Sequence, residues 1–171
     1  MNKSLFKNVC DKVVFERLYA KHSKNLHNFL YYKYGEAINP EDKVQEAFVK
    51  LWEKCKDVSI EKAKSFLFTV ANNKTLNALK HKKVVLKYNQ KPVKSHTNET
   101  PEFLLEESEF MQRFKNALES LPEGQRIAFM MNRVEGKKHQ EIADILGISR
   151  KAVEKRIYTA LGKLREQIKE L

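Results

Sequence analysis

Glycine and proline are scarce in this chain, five and four among 171 residues. So few turn formers argue against a sheet-rich fold, and 42% hydrophobic residues argue against disorder, so an all-α globular protein is expected. No apolar run approaches the ~18 residues of a membrane span, and the opening stretch MNKSLFKNVCDK lacks the apolar centre of a signal peptide. The expectation is a soluble, cytoplasmic protein with no direct membrane insertion. Cysteine is confined to Cys10 and Cys55, with no C-x-x-C pair and no histidine at metal-ligand spacing. Neither a disulfide framework nor a structural zinc is suggested. At roughly 100 to 200 residues per domain the length allows one domain or two small ones, and excludes a large enzyme barrel.

Positive charge is what the chain has in excess: 33 Lys+Arg against 22 Asp+Glu, a formal +11. Its distribution is uneven. Residues 1–94 hold 20 basic and 9 acidic side chains, 95–136 hold 4 and 8, and 137–171 hold 9 and 5. Clustered lysine and arginine release phosphate counterions on binding, so two basic blocks around an acidic one suggest two surfaces for a polyanion, nucleic acid foremost. A merely lysine-rich proteome would give the same total, so motifs must decide.

Apolar residues at Phe15, Leu18, Tyr19, His22, Leu26, Phe29 and Leu30 follow the three-and-four spacing of one helix face, and Gly35 ends that helix. The next helix opens on Asn39 as cap, Pro40 at the first helical position and two acids at the positive end of the dipole. Its stripe is Val44, Ala47, Phe48, Leu51, Trp52 and Cys55, which places Cys55 in the core and leaves Asp42, Gln45, Glu46, Val49, Lys50 and Glu53 off the stripe. After a polar loop at Lys56 to Ser59, a third helix runs to about His81, with Ala63, Phe66, Leu67, Val70 and Asn73 inward. Residues 82–102 lack sustained periodicity and contain Pro92 and Pro101; so long an unstructured stretch argues for two domains, 8–83 and 107–171, joined by a linker at 84–106. Beyond it, Phe110, Met111, Phe114, Ala117, Leu118 and Leu121 mark one helix, stopped by Pro122, and Ile127, Phe129, Met130 and Val134 mark another ending at Gly136.

Residues 139–161, HQEIADILGISRKAVEKRIYTAL, have the grammar of a helix-turn-helix. Ile142, Ala143 and Leu146 make one buried face, Gly147 supplies a positive-φ turn, Ser149 caps a second helix, and Val153, Ile157 and Leu161 face inward. Ser149, Arg150, Lys151, Glu154, Lys155 and Tyr158, with Arg156 flanking, would then meet a major groove, where base-edge donors and phosphate-binding cations act together. An ordinary helical hairpin with a solvated basic face is the competing reading.

Together these residues resemble the extracytoplasmic-function (group IV) sigma factors, the minimal two-domain members of the sigma-70 family of bacterial RNA polymerase, over about residues 11–168. DKVQEAFVKLW, from Asp42 to Trp52, resembles the D-x-x-Q-E-x-F-x-x-x-W pattern of the helix that docks on the polymerase clamp. FLFTVANN, from Phe66 to Asn73 and on to Lys80, resembles the part that melts the -10 element and holds its exposed bases. LPEGQR, from Leu121 to Arg126, resembles the start of the region that binds the polymerase flap and the -35 element. Asn77, where the pattern has an aspartate, and Gly124, where it has a more helix-prone residue, are departures that bear on promoter sequence.

The resemblance implies core RNA polymerase (clamp and flap), promoter DNA and an anti-sigma factor as partners, with no cofactor, no metal and no catalytic site. Asp42, Gln45, Glu46 and Val49 are the candidates for polymerase contact, although Asp42 and Glu46 also suit the dipole, and Glu46 a pair with Lys50. Candidates for -10 contact are Lys56, Ser59, Phe68, Asn73, Lys74, Asn77, Lys80 and His81, since unstacked bases are held by pockets, aromatic faces and backbone-tracking cations. Phe68 could equally be core, while Lys80, Lys82 and Lys83 suit phosphate better than bases. Two rivals remain: a stand-alone helix-turn-helix regulator, which would normally dimerise on two half-sites, and a small nucleic-acid enzyme. The chain shows no heptad, no H-E-x-x-H and no Gly-rich phosphate loop.

Overall fold

In a computed structural model of the protein the backbone is described for residues 8–88 and 102–168. The chain divides into two units, Met1–Gln90 and Lys91–Leu171. The described residues are helical with no strand, in agreement with the expected all-α class.

The first unit is built from α1 (Lys12–Tyr34), a short 3-10 turn at Glu36–Ile38, α2 (Pro40–Glu53) and α3 (Ile60–Tyr88). Asp11 caps α1 by accepting from the N–H groups of Val13 and Val14 at 2.9 and 3.1 Å. Gly35 ends it at φ +80, where an L side chain would be strained. Val14, Leu18, His22, Leu26 and Leu30 form its buried stripe. Val44, Ala47, Phe48 and Leu51 of α2 and Ala63, Leu67 and Ala71 of α3 close over that stripe in one core. Burial, then Lys21 and Lys64, lower the pKa of His22, so its imidazole sits neutral in that core.

Several expectations need correction. Asn39 stands at the cap of α2 but in a left-handed conformation, and its Nδ2 donates to Asp42 at 3.2 Å instead of its oxygen capping the backbone. Trp52, expected inward, is 47% exposed, its ring edge-on to Phe15 at 5.0 Å. It lies one residue past Leu51, at the flank of the stripe. Asn73 is exposed, and Thr75 is the buried polar residue of α3, its hydroxyl donating to the Ala71 carbonyl at 2.9 Å. Helix α3 runs past His81 to Tyr88, because Lys82 to Lys87 contains no glycine or proline and lysine and leucine favour helix. Helix α4 starts at Glu102, inside the expected linker, while 89–101 lie outside the described residues.

The cysteines are not independent. Cys10 and Cys55 are joined, sulfurs 2.00 Å and Cα atoms 5.0 Å apart. Val9 is fully buried in the core, which delivers Cys10 to the edge where the α2 stripe ends at half-buried Cys55. Spacing along the chain cannot reveal such a pairing; only the packing of the segment before α1 brings the two sulfurs together.

The second unit holds α4 (Glu102–Ser120), α5 (Glu123–Arg133), α6 (His139–Leu146) and α7 (Arg150–Gln167). Ala117, Leu121, Phe129, Ala160, Leu164 and Ile168 form one cluster. Met130 packs half-buried against that cluster as expected, Met131 beside it is fully buried, and Val134, just past the end of α5, is exposed. On α7 Ala160 and Leu164 are buried and Leu161 flanks them, since the four-residue repeat from Val153 and Ile157 drifts off the expected position.

Closing a loop of this length with one cross-link stabilises a fold by about 4 kcal/mol in the chain-entropy model. Reduction, or Cys10→Ser, is therefore expected to lower the unfolding free energy of the first unit by about 2–4 kcal/mol. Urea denaturation with and without reductant measures it; the variant should not respond to reductant.

Candidate nucleic-acid interface

The helix-turn-helix forms as expected. Ala143, 3% exposed, sits where α6 meets α7. Gly147 takes a left-handed φ of 67°, and the N–H groups of Gly147 and Ile148 both reach the Ala143 carbonyl, at 2.9 and 3.2 Å. Ser149 caps α7 by accepting from the Ala152 N–H at 3.2 Å. Arg150, Lys151 and Lys155 are exposed, Tyr158 is 62% exposed, and Glu154 is half-buried. Lys151, Lys155 and Tyr158 fall on one stripe at spacings of four and three.

Arg156 departs from that stripe. An ideal Cβ on Gly124 would meet its guanidinium, Nη1 at 3.1 Å and Cζ at 3.2 Å. The glycine that interrupts the expected α5 start thus makes room for the arginine of α7. Sequence periodicity shows that Arg156 flanks the groove-facing stripe, but not that it lies across α5.

On the first unit, Lys56, Ser59, Asn73, Asn77, Lys80 and His81 are exposed. Asn73, Asn77 and Lys80 continue a solvent-facing stripe that begins at Lys62, Ser65 and Thr69. At 1.5 Å per residue this stripe is about 27 Å long. At its start lies an open cavity of about 640 Å³ between the α2–α3 turn and α3, with Phe66, Val58 and Val70 as apolar walls and Lys50, Lys54 and Lys62 at the rim. These rim lysines were not among the expected contacts; their only signal was proximity to Lys56 and Ser59. Phe68 is half-buried, its ring 5.1 Å from Phe29, which favours its core role.

The candidates for polymerase contact and strand contact are linked. Glu46 accepts from Lys43 at 2.5 Å and from Lys74 of α3 at 2.9 Å, while Lys50 pairs with Glu53 at 2.7 Å instead of with Glu46. The Lys43 hydrogen bond, then the Lys74 one, hold the Glu46 carboxyl below the usual carboxylate range. Beyond Glu46, Asp42, Gln45 and Val49 are exposed, Val49 at 59%. Val49 and Trp52 with Phe15, Tyr19 and Phe48 line an apolar groove of about 380 Å³ between α1 and α2. Among the described residues no group of three or more His, Cys, Asp or Glu could hold a metal, and no helix is long and apolar enough to cross a membrane.

Two helical units, one ending in a helix-turn-helix and the other carrying a lysine-rimmed cavity and an apolar groove, are the make-up of a DNA-binding protein. The family model for sigma-70 region 2 matches residues 18–84, and that for sigma-70 region 4 matches residues 111–164. The chain belongs to the sigma-70 family, in its extracytoplasmic-function group. It binds core RNA polymerase and promoter DNA and directs transcription initiation; proteins of this family are initiation factors. A solved structure of the sigma factor RpoE in complex with the anti-sigma factor NepR, from Bartonella quintana, is similar at 22% identity and a TM-score of 0.53, over 91% of this chain and 96% of that one. A chain of the RsbN-BldN complex aligns at 17% identity and a TM-score of 0.33, over 93% of this chain and 99% of that one. No curated protein matches the chain.

Two outcomes follow from this geometry. Gly124→Ala is expected to stabilise the second unit by up to ~1 kcal/mol through helix propensity, since the atom it meets is the far end of a flexible side chain; a loss of stability in urea denaturation would show that Arg156 cannot yield. The lowered Glu46 value means its ion pairs stabilise the fold above the unfolded pKa of about 4.3 and lose that effect as pH falls through the folded value. With Glu46 37% exposed the increment is under ~1 kcal/mol, and Glu46→Gln should flatten that acid limb in melting scans from about pH 5 to 3.

Proposed function

We propose that the exposed faces divide initiation into three tasks. The α7 stripe reads the -35 duplex, with Arg150 and Glu154 toward base edges and Lys151, Lys155 and Tyr158 toward bases and phosphates. The solvent face of α3, from Lys62 through Asn73 and Asn77 to Lys80, carries the opened -10 strand, and His81 extends it. The lysine-rimmed cavity at its start receives an unstacked base, with Lys56 and Ser59 on the adjoining turn. The groove lined by Gln45 and Val49 docks on the polymerase clamp, with Trp52 as its aromatic anchor and Asp42 and Glu46 of the same helix as the flanking acidic contacts. An anti-sigma factor, the kind of partner named in the RpoE structure, would compete for that groove. Residues 8–83 and 107–171 are the working units, the stretch between them connecting the two tasks.

The observation that carries this reading is the continuous exposed face of α3 leading out of an apolar, lysine-rimmed cavity. Neither a duplex-binding regulator nor a helical hairpin needs such a strand-length track. Single-strand capture does.

Run-off transcription with core polymerase on a genomic promoter library tests the whole. Directed initiation supports it, whereas a protein that shifts duplex DNA alone and never joins core is a stand-alone regulator. Arg150→Ala and Lys155→Ala are each expected to cost about 1–3 kcal/mol of -35 binding with assembly on core unchanged. Asp42→Ala with Gln45→Ala should weaken assembly and spare the duplex; the reverse pattern would overturn these assignments.

A further inference from the structure

Neither groove-facing nor strand-facing residues account for the sulfur pair at the edge of the first unit. We propose that Cys10 and Cys55 form a reversible thiol–disulfide exchange site, whose co-substrate is a low-molecular-weight thiol and its disulfide, and whose state sets the freedom of the turn walling the lysine-rimmed cavity. The effect on initiation rests on the function proposed above; the exchange itself does not.

Two considerations converge. Both cysteines are half-buried, so a small thiol reaches the bond from solvent. A chain that works beside DNA sits in the reducing compartment, where disulfides are rare and those that form are mainly catalytic or redox-sensing.

The exchange balances without any further reagent. The Cys10 thiolate attacks one sulfur of the small disulfide and releases one small thiol, leaving a mixed disulfide. Cys55 then loses its proton, attacks the Cys10 sulfur and releases the second small thiol. Two protein thiols and one small disulfide become one protein disulfide and two small thiols, with two electrons passing from the protein sulfurs to the small molecule.

The mechanical consequence lies in where Cys55 stands. It occupies the turn between α2 and α3, and the bond ties that turn to the segment whose Val9 is fully buried. Lys54, Asp57 and Val58 of the same turn line the cavity. With the bond open, the turn keeps its own backbone bonds, Asp57 N–H to the Lys54 carbonyl at 2.9 Å and Val58 N–H to the same carbonyl at 3.1 Å, but loses its anchor to the amino-terminal segment.

The full chain is equilibrated with glutathione and its disulfide at graded ratios as the probe. Free thiols are counted by mass after alkylation, amide exchange is followed over residues 54–59, and run-off transcription is measured with core. Expected are reversible opening and closing, amides over 54–59 exchanging about tenfold faster in the reduced chain, and about threefold less transcript. Cys10→Ser with Cys55→Ser should match the reduced wild type and ignore the buffer; should that variant misfold, the wild type in its two states still decides. A pair that stays closed in excess reduced glutathione, or never closes, or leaves exchange over 54–59 unchanged, overturns the proposal. Equal transcript in both states overturns the coupling to initiation. No transcript with core in either state, alongside the expected thiol and exchange results, removes the functional reading and leaves the exchange site standing.

Discussion

The closure of α1, α2 and α3 around Leu26, Leu30, Leu51 and Leu67 is the interaction on which the first unit depends. Each is fully buried, and burial of such a side chain stabilises by about 1.5–3 kcal/mol, against 0–1 kcal/mol for an exposed ion pair. The apolar stripes therefore fix how α3 is rotated, and the charges follow. Ala63 and Ala71, both fully buried, let α3 approach its neighbours closely, and with Leu67 and Thr75 they take every fourth position. Helix geometry then leaves the opposite face, Lys62 through Asn73 to Lys80, no place but solvent. The solvent-facing surface proposed to meet DNA is thus a consequence of where leucine and alanine fall.

The same logic explains what was legible in the sequence. The turn of the helix-turn-helix was readable because Gly147, Ser149 and Ala143 each act locally: a positive φ, a cap and a close crossing are set within a few residues. The errors concern positions where a tertiary partner decides. Trp52 and Val134 sit at the margins of their apolar stripes, where burial depends on how far the neighbouring helix reaches. Met130 and Met131 are chemically identical, and only helix rotation buries the second more fully than the first. The disulfide required the path of the segment before α1, which carries no periodicity of its own. The cavity rim was missed because Lys50, Lys54 and Lys62 come from two helices and a turn, and nothing in their spacing joins them.

Electrostatics refine the charge argument more than they confirm it. A total of +11 counts every cation equally, yet two of those expected at DNA also contact a neighbouring helix. Lys74 is bound to Glu46 across α2 and α3, and Arg156 lies over Gly124. Each joins one helix to another. Lys74 joins α3 to α2 through an exposed ion pair with Glu46.

Arg156 does the corresponding work in the second unit. Its guanidinium lies over the first turn of α5, the helix against which α7 packs. Of the α7 residues proposed to meet the groove, Arg150, Lys151, Lys155 and Tyr158 are exposed, with Glu154 and Arg156 half-buried beside them. A smaller set of cations implies a shallower dependence of duplex binding on salt than the full basic content of α7 would give, since the slope counts only phosphates neutralised in the complex. In the proposed reading, base discrimination rests on the few exposed side chains of α7, with Arg156 lying against the start of α5.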